Sequence, residues 1–140
     1  MNYYLLGPYS SQTIVDSSGN LSVSGEIRAT GDVVAYYSSD KRFKDNIQPI
    51  QDSLYKISKI GGYEYDWNDK QSTYEGHDVG VIAHEIHKVL PEVVTERDDG
   101  YLAVKYEKVV PLLIESIKEL KQEVDDIKKN CKCLSDGNKL

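Results

Sequence analysis

From Asp45 onward the apolar residues fall at helical spacing. Ile47, Ile50, Leu54, Ile57 and Ile60 recur three and four positions apart, which predicts an amphipathic helix closed by Gly61-Gly62. Pro49 would occupy its first turn, where proline is tolerated. Upstream the texture differs. Residues 1–38 are punctuated by Gly7-Pro8, Ser17-Ser18-Gly19-Asn20, Gly25 and Gly31-Asp32. Between these turn signals Leu21-Ser22-Val23-Ser24 and Glu26-Ile27-Arg28-Ala29 read as brief strands with one apolar face. Strands this short cannot bury enough surface alone, so they need a longer parent chain or identical neighbours.

Downstream, Tyr63-Glu64-Tyr65-Asp66-Trp67 alternates aromatic and acidic residues and reads as a strand, followed by a polar loop from Asn68 to His77. Val79 to Ala83 is a second apolar run, and Glu85 to Leu90 a short helix stopped before Pro91. Val93–Glu96 and Tyr101–Val104 flank Arg97-Asp98-Asp99-Gly100, whose Asp-Gly pair is a strong hairpin signal. Finally Tyr106, Val110, Leu113, Ile117, Leu120, Val124 and Ile127 alternate steps of four and three, a heptad register that Cys131 continues. Up to Leu113 the stripe is expected to pack on its own domain; from Ile117 its narrowness favours self-association. Ile117 and Val124 at one heptad position with Leu120 at the other lean toward two strands. The polar residues from Glu115 to Lys129, Glu119 among them, read as a solvated face. The fold class is therefore α+β, with a short β-rich N-terminal segment, a small mixed α/β domain and a long C-terminal helix.

Composition narrows the function classes. A length of 140 residues suits one domain with an appended segment, and a net charge of −6 argues against a nucleic-acid-binding module. The sequence has neither an apolar run that would span a bilayer nor a signal-peptide pattern. A soluble intracellular product is expected. Cys131 and Cys133 lie too close together to staple a fold, and Cys-Lys-Cys is only half of a zinc site. The 11 tyrosines against one phenylalanine suit half-wet sheets and subunit interfaces. His84-Glu85-Ile86-His87 has one residue between the glutamate and the second histidine where a zinc-protease helix needs two, and His77 has no partner spacing. No metal or cofactor is predicted.

The chemistry concentrates in Ser39-Asp40-Lys41-Arg42-Phe43-Lys44. A serine hydroxyl is a poor nucleophile until a base takes its proton, and a lysine held neutral can be that base. Desolvation disfavours the charged form, so Lys44 is expected to be partly buried. Lys41 and Arg42 would oppose its charging further, whereas Asp40 and Asp45 would favour it if they pointed at it. Positions 39 and 44 lie on opposite faces of a strand and are not helix neighbours, so a turn must bring them together. Ser39 Oγ would then attack the carbonyl carbon of Ser38 and cut the chain between Ser38 and Ser39. The plainer reading is a surface loop in which Ser39 or Asp40 caps the next helix and the basic residues are solvated.

Ser39 through Ile47 is followed in order by Tyr65-Asp66-Trp67, Gly80-Val81-Ile82-Ala83-His84-Glu85, Val89-Leu90-Pro91-Glu92-Val93-Val94, and Tyr106 through Pro111 to Glu115-Ser116-Ile117-Lys118-Glu119-Leu120. This ordered set resembles the C-terminal intramolecular chaperone domain of phage tail fibres, tailspikes and neck appendages, the self-cleaving S74 peptidase family. It covers about Ser39 to Lys129 and is most similar to neck appendage proteins. The resemblance implies a homotrimer with a trimeric coiled coil, which overrides the two-strand preference. It also implies a chaperone that brings three copies of an upstream β-fibre into register and releases itself in a single turnover, with Ser39 as nucleophile and Lys44 as base. Residues 1–38 would end the fibre, 39–110 form the chaperone and autoprotease domain, 111–130 the coiled coil and 131–140 a tail. Expected partners are the other copies and the upstream fibre, with neither nucleic acid nor membrane. Assembly would take place in the host cytoplasm, and the parent fibre would belong to the virion tail. His84 departs from the glutamine that many relatives carry there. The alternative is a non-cleaving trimerisation or attachment module kept in the mature fibre.

Overall fold

The structure, a computed structural model, describes residues 13–15, 17–23, 25–36 and 38–136. These form a mixed α/β chain of small two-stranded sheets and one long C-terminal helix, divided into two units. One unit comprises the described residues of 1–45 with 66–76, the other those of 46–65 and 77–140.

In the first unit β1 (Thr13–Val15) pairs antiparallel with β2 (Leu21–Val23), Ile14 opposite Ser22. Gly19, at a φ of 82°, supplies the left-handed residue of the connecting turn, a conformation glycine adopts without a side-chain clash. The expected strand over Glu26–Ala29 is absent, and β2 pairs backward instead. The overlooked partner is the β-branched run Thr13-Ile14-Val15, which the turn at Ser17–Asn20 folds onto β2. The Gly7-Pro8 signal lies outside the described residues. The loop from Asn68 to Gly76 is held by Gln71, whose Oε1 accepts from Thr73 N (2.9 Å) and Tyr74 N (2.8 Å). The Trp67 and Tyr74 rings stack above it at 5.2 Å between centroids.

The second unit departs most from expectation in its first helix. α1 spans only Ser53–Ile57, not the stretch from Asp45 to Gly61. Asn46 and Asp52 both take φ of 52°, a left-handed value that Asn and Asp tolerate better than most residues, and Pro49 disfavours helical backbone before it. Two single-residue turns therefore consume the first half of the predicted helix. α1 also has no cap of its own, since the Asp52 side chain makes no capping bond. Its cap comes from elsewhere: Glu119 Oε2 accepts from Ser53 Oγ (2.5 Å) and Leu54 N (3.0 Å), and Ser116 Oγ donates to Ser53 O (3.0 Å).

β3 (Gly62–Asp66) pairs with β4 (His77–Val81), and α2 (Ala83–Val89) follows, ending before Pro91 as expected. Pro91 instead opens a 3-10 turn, Pro91–Val93. β5 (Val94–Glu96) and β6 (Leu102–Val104) form the expected antiparallel hairpin, Thr95 opposite Ala103, with Gly100 at φ 80° in its turn. Tyr106 belongs to a 3-10 turn, Tyr106–Val109, rather than to the long helix, and its hydroxyl accepts from Val81 N (3.3 Å).

α3 (Val110–Asp136) follows that turn. Its buried face is Leu112 and Ser116 with the half-buried Glu119, set against α1, and not Val110 and Leu113, which are exposed. Glu119 is thus a tertiary cap and no part of a solvated face. The core is small: Ile86, Val93 and Leu112 are its fully buried apolar side chains among the described residues. The stripe of Leu113, Ile117, Leu120, Val124 and Ile127 is exposed along the neighbouring face of α3, about a quarter-turn round the helix, with Ile117 at 67%.

Candidate cleavage site

The Ser38–Ser39 bond lies where two tight turns meet. On one side Ser39 N donates to Tyr36 O (2.9 Å), with Tyr36 at φ 55°. A bulky side chain in that left-handed region costs roughly 1–2 kcal/mol of backbone strain. On the other side Asp40 caps a 3-10 turn, Lys41–Phe43, which is closed by Phe43 N to Asp40 O and Lys44 N to Lys41 O (both 3.1 Å). A 3-10 turn reverses direction in three residues, so residue 44 comes back beside residue 39. Lys44 Nζ donates to Ser39 Oγ at 3.2 Å and to Ser39 O at 2.9 Å. The two predicted site residues therefore meet, through the kind of turn their spacing demands.

Asp40, rather than Ser39, is the residue that caps. Its Oδ1 accepts from Arg42 N (2.8 Å) and Arg42 Nε (3.0 Å), and its Oδ2 accepts from Arg42 Nη2 (2.9 Å). The Arg42 guanidinium and backbone N–H hold the Asp40 carboxyl below the usual carboxylate range, and Lys44 adds a smaller pull in the same direction. Arg42 is in turn held above its ordinary value by Asp40. In sequence Arg42 reads as one more basic residue, yet an aspartate at a helix cap with an arginine two positions on is a readable signal for such a fork.

One expectation fails. Lys44 and Ser39 are both exposed in the single chain, because nothing described is packed over this short surface turn. His84 and His87 are exposed on α2, and Glu85 between them is engaged elsewhere. Its Oε2 accepts from Gly61 N (2.8 Å) and its Oε1 from Tyr63 Oη (2.6 Å). No group of three potential metal ligands converges among the described residues.

Residues 39–95 match the family model for the chaperone of endosialidase, and the match begins at Ser39 itself. This segment, less than half of the chain, is similar to that family. Relatives of the chain include phage long tail fibre proteins. The long tail fiber protein Gp37 of Enterobacteria phage K3 is 33% identical over 66% of the chain, and that of Enterobacteria phage T2 is also 33% identical over 66%. Gp37 of Salmonella phage S16 is 29% identical over 96% of the chain. The chain spans 8%, 7% and 20% of the lengths of these three proteins. It thus carries a chaperone domain of the phage tail fibre kind, and no described helix is long and apolar enough to cross a membrane.

Proposed function

We propose that the chain is an intramolecular trimerisation chaperone of a phage tail fibre or neck appendage and that it releases itself by cutting between Ser38 and Ser39. The observation that carries the reading is the Lys44 Nζ to Ser39 Oγ contact at 3.2 Å, at the first residue of the family segment. Lys44 accepts the Ser39 hydroxyl proton as Oγ bonds to the Ser38 carbonyl carbon. The bond from that carbon to Ser39 N then breaks, and Lys44 returns the proton to the leaving amine. The product is an ester of Ser38 on Ser39, which water hydrolyses to a Ser38 carboxylate and a restored Ser39 hydroxyl. Each chain turns over once.

Trimer formation supplies what the single chain lacks. The uncovered heptad stripe of α3 joins three copies as a coiled coil, and packing of the copies covers the Ser39–Lys44 turn, where removal of water disfavours an ammonium. In this reading residues 1–38 end the parent's β-fibre, 39–110 are the chaperone and autoprotease domain, 111–130 the coiled coil and 131–140 a tail. Assembly takes place in the host cytoplasm and the fibre goes to the virion tail.

A non-cleaving trimerisation module is the second reading, favoured by the exposure of Lys44. Hydroxylamine separates the two. Added to freshly folded chain, it attacks the ester and leaves a hydroxamate on Ser38 at the end of the N-terminal fragment. The same treatment of Ser39→Ala yields only whole chain. Whole chain from both, in a folded trimer, supports the second reading and overturns the first.

A further inference from the structure

The Ser39–Lys44 pair is held in a turn that also contains a carboxylate, and a carboxylate is the natural partner of an ammonium. Asp40 is adjacent to the serine, and its charge reaches Lys44. Both of its oxygens are nonetheless turned away, Oδ1 onto the Arg42 amide and Nε, Oδ2 onto Arg42 Nη2. A two-pronged arginine–carboxylate pair is more directional than a lysine–carboxylate pair, so Arg42 outcompetes Lys44 for this group. With Asp40 occupied, Lys44 Nζ rests on the serine oxygens.

We infer that Arg42 is a positioning residue for self-cleavage: it sequesters the Asp40 carboxylate so that Lys44 remains on Ser39 and free to act as its base. The inference rests on the cleavage reading proposed above. The charged neighbours of Lys44 in this turn are Asp40, Lys41, Arg42 and Asp45, and all of them are exposed in the single chain. Such pairs are weak in open water. Covering the turn on assembly lowers the local dielectric and gives the choice of partner its weight. There, an Asp40 carboxylate released from Arg42 would pair with Lys44, pull it off the serine and hold the proton on the base.

The test is the first-order rate of self-cleavage of the full chain, followed by mass over a pH series, for the natural sequence, Arg42→Gln and Arg42→Gln with Asp40→Asn. Asparagine caps a helix as well as aspartate does, so the second change removes charge and keeps the turn. Arg42→Gln is expected to move the pH–rate midpoint upward by about one pH unit, a loss of about tenfold in rate below the midpoint. Adding Asp40→Asn is expected to return both to the natural values. If Arg42→Gln does not assemble, Arg42→Lys, which keeps the charge and loses the fork, takes its place and moves the profile in the same direction. A midpoint that stays in place, or one that Asp40→Asn does not restore, overturns the inference while leaving the cleavage reading intact. A natural chain that stays whole overturns both.

Discussion

The carboxylate of Glu119, on α3, accepts the backbone N–H of Leu54 at 3.0 Å across 65 positions of sequence. It closes an α1 N-terminus that has no cap of its own. The Ser53 hydroxyl, then the Leu54 amide, hold the Glu119 carboxyl below its ordinary value. A depressed carboxyl contributes stability that is fully present above the unfolded value, roughly 4.3 for glutamate, and is lost as pH falls through the folded value. Glu119→Gln is therefore expected to lower the thermal midpoint at neutral pH and to flatten its fall on acidification, measured by circular dichroism. An unchanged acid profile would remove Glu119 from this role.

The Glu85–Tyr63 contact predicts a loss at both ends of the pH scale. Glu85 is held low by the Tyr63 hydroxyl, then by the Gly61 amide, so its contribution disappears in acid. Tyr63 is held high, first by its hydrogen bond to Glu85, so its contribution is present below roughly pH 10 and is lost as pH rises through the folded value. Tyr63→Phe should reduce the alkaline loss, to which the raised Tyr65 and Lys121 still contribute, while leaving the acid loss from Glu119 in place, which a pH series of melting curves would show.

These contacts mark where sequence reading stops. The hairpin around Asp99-Gly100 was legible because Gly100 supplies the left-handed residue that its turn needs. The Ser39–Lys44 meeting was legible because five-residue spacing fits neither strand nor helix. α1 was misjudged because its length depends on left-handed backbone at Asn46 and Asp52 and on a cap from Glu119, and hydrophobic periodicity records none of these. The face of α3 that packs on α1 was not legible, because two of its members, Ser116 and Glu119, are polar.

Gly80 offers a test of packing. A Cβ there would meet Tyr106 Oη at 3.0 Å and Tyr65 Oη at 3.1 Å, and Tyr106 cannot retreat without losing Val81 N. Gly80→Ala is expected to destabilise the fold by about 1–3 kcal/mol. Gly62→Ala, with nothing within 4 Å of its Cβ, should change little. Urea unfolding of the two variants gives the comparison; equal midpoints would contradict it.

In the proposed reading the two faces of α3 separate stability from assembly. Leu112 is fully buried, and Leu112→Ala should cost about 2–5 kcal/mol in unfolding. Ile117 is exposed, so Ile117→Asp should leave the folded single chain in place while abolishing the trimer, as read by sedimentation. A trimer that survives Ile117→Asp would move the interface off this stripe.

The central claim, that Ser39 and Lys44 cut the chain in which they lie, is tested most directly by intact mass. The natural chain, Ser39→Ala and Lys44→Ala are folded under the same conditions, denatured and weighed. The account predicts fragments 1–38 and 39–140 from the natural chain and a single whole chain from each variant. Three whole chains, or fragments that persist in Lys44→Ala, would contradict it.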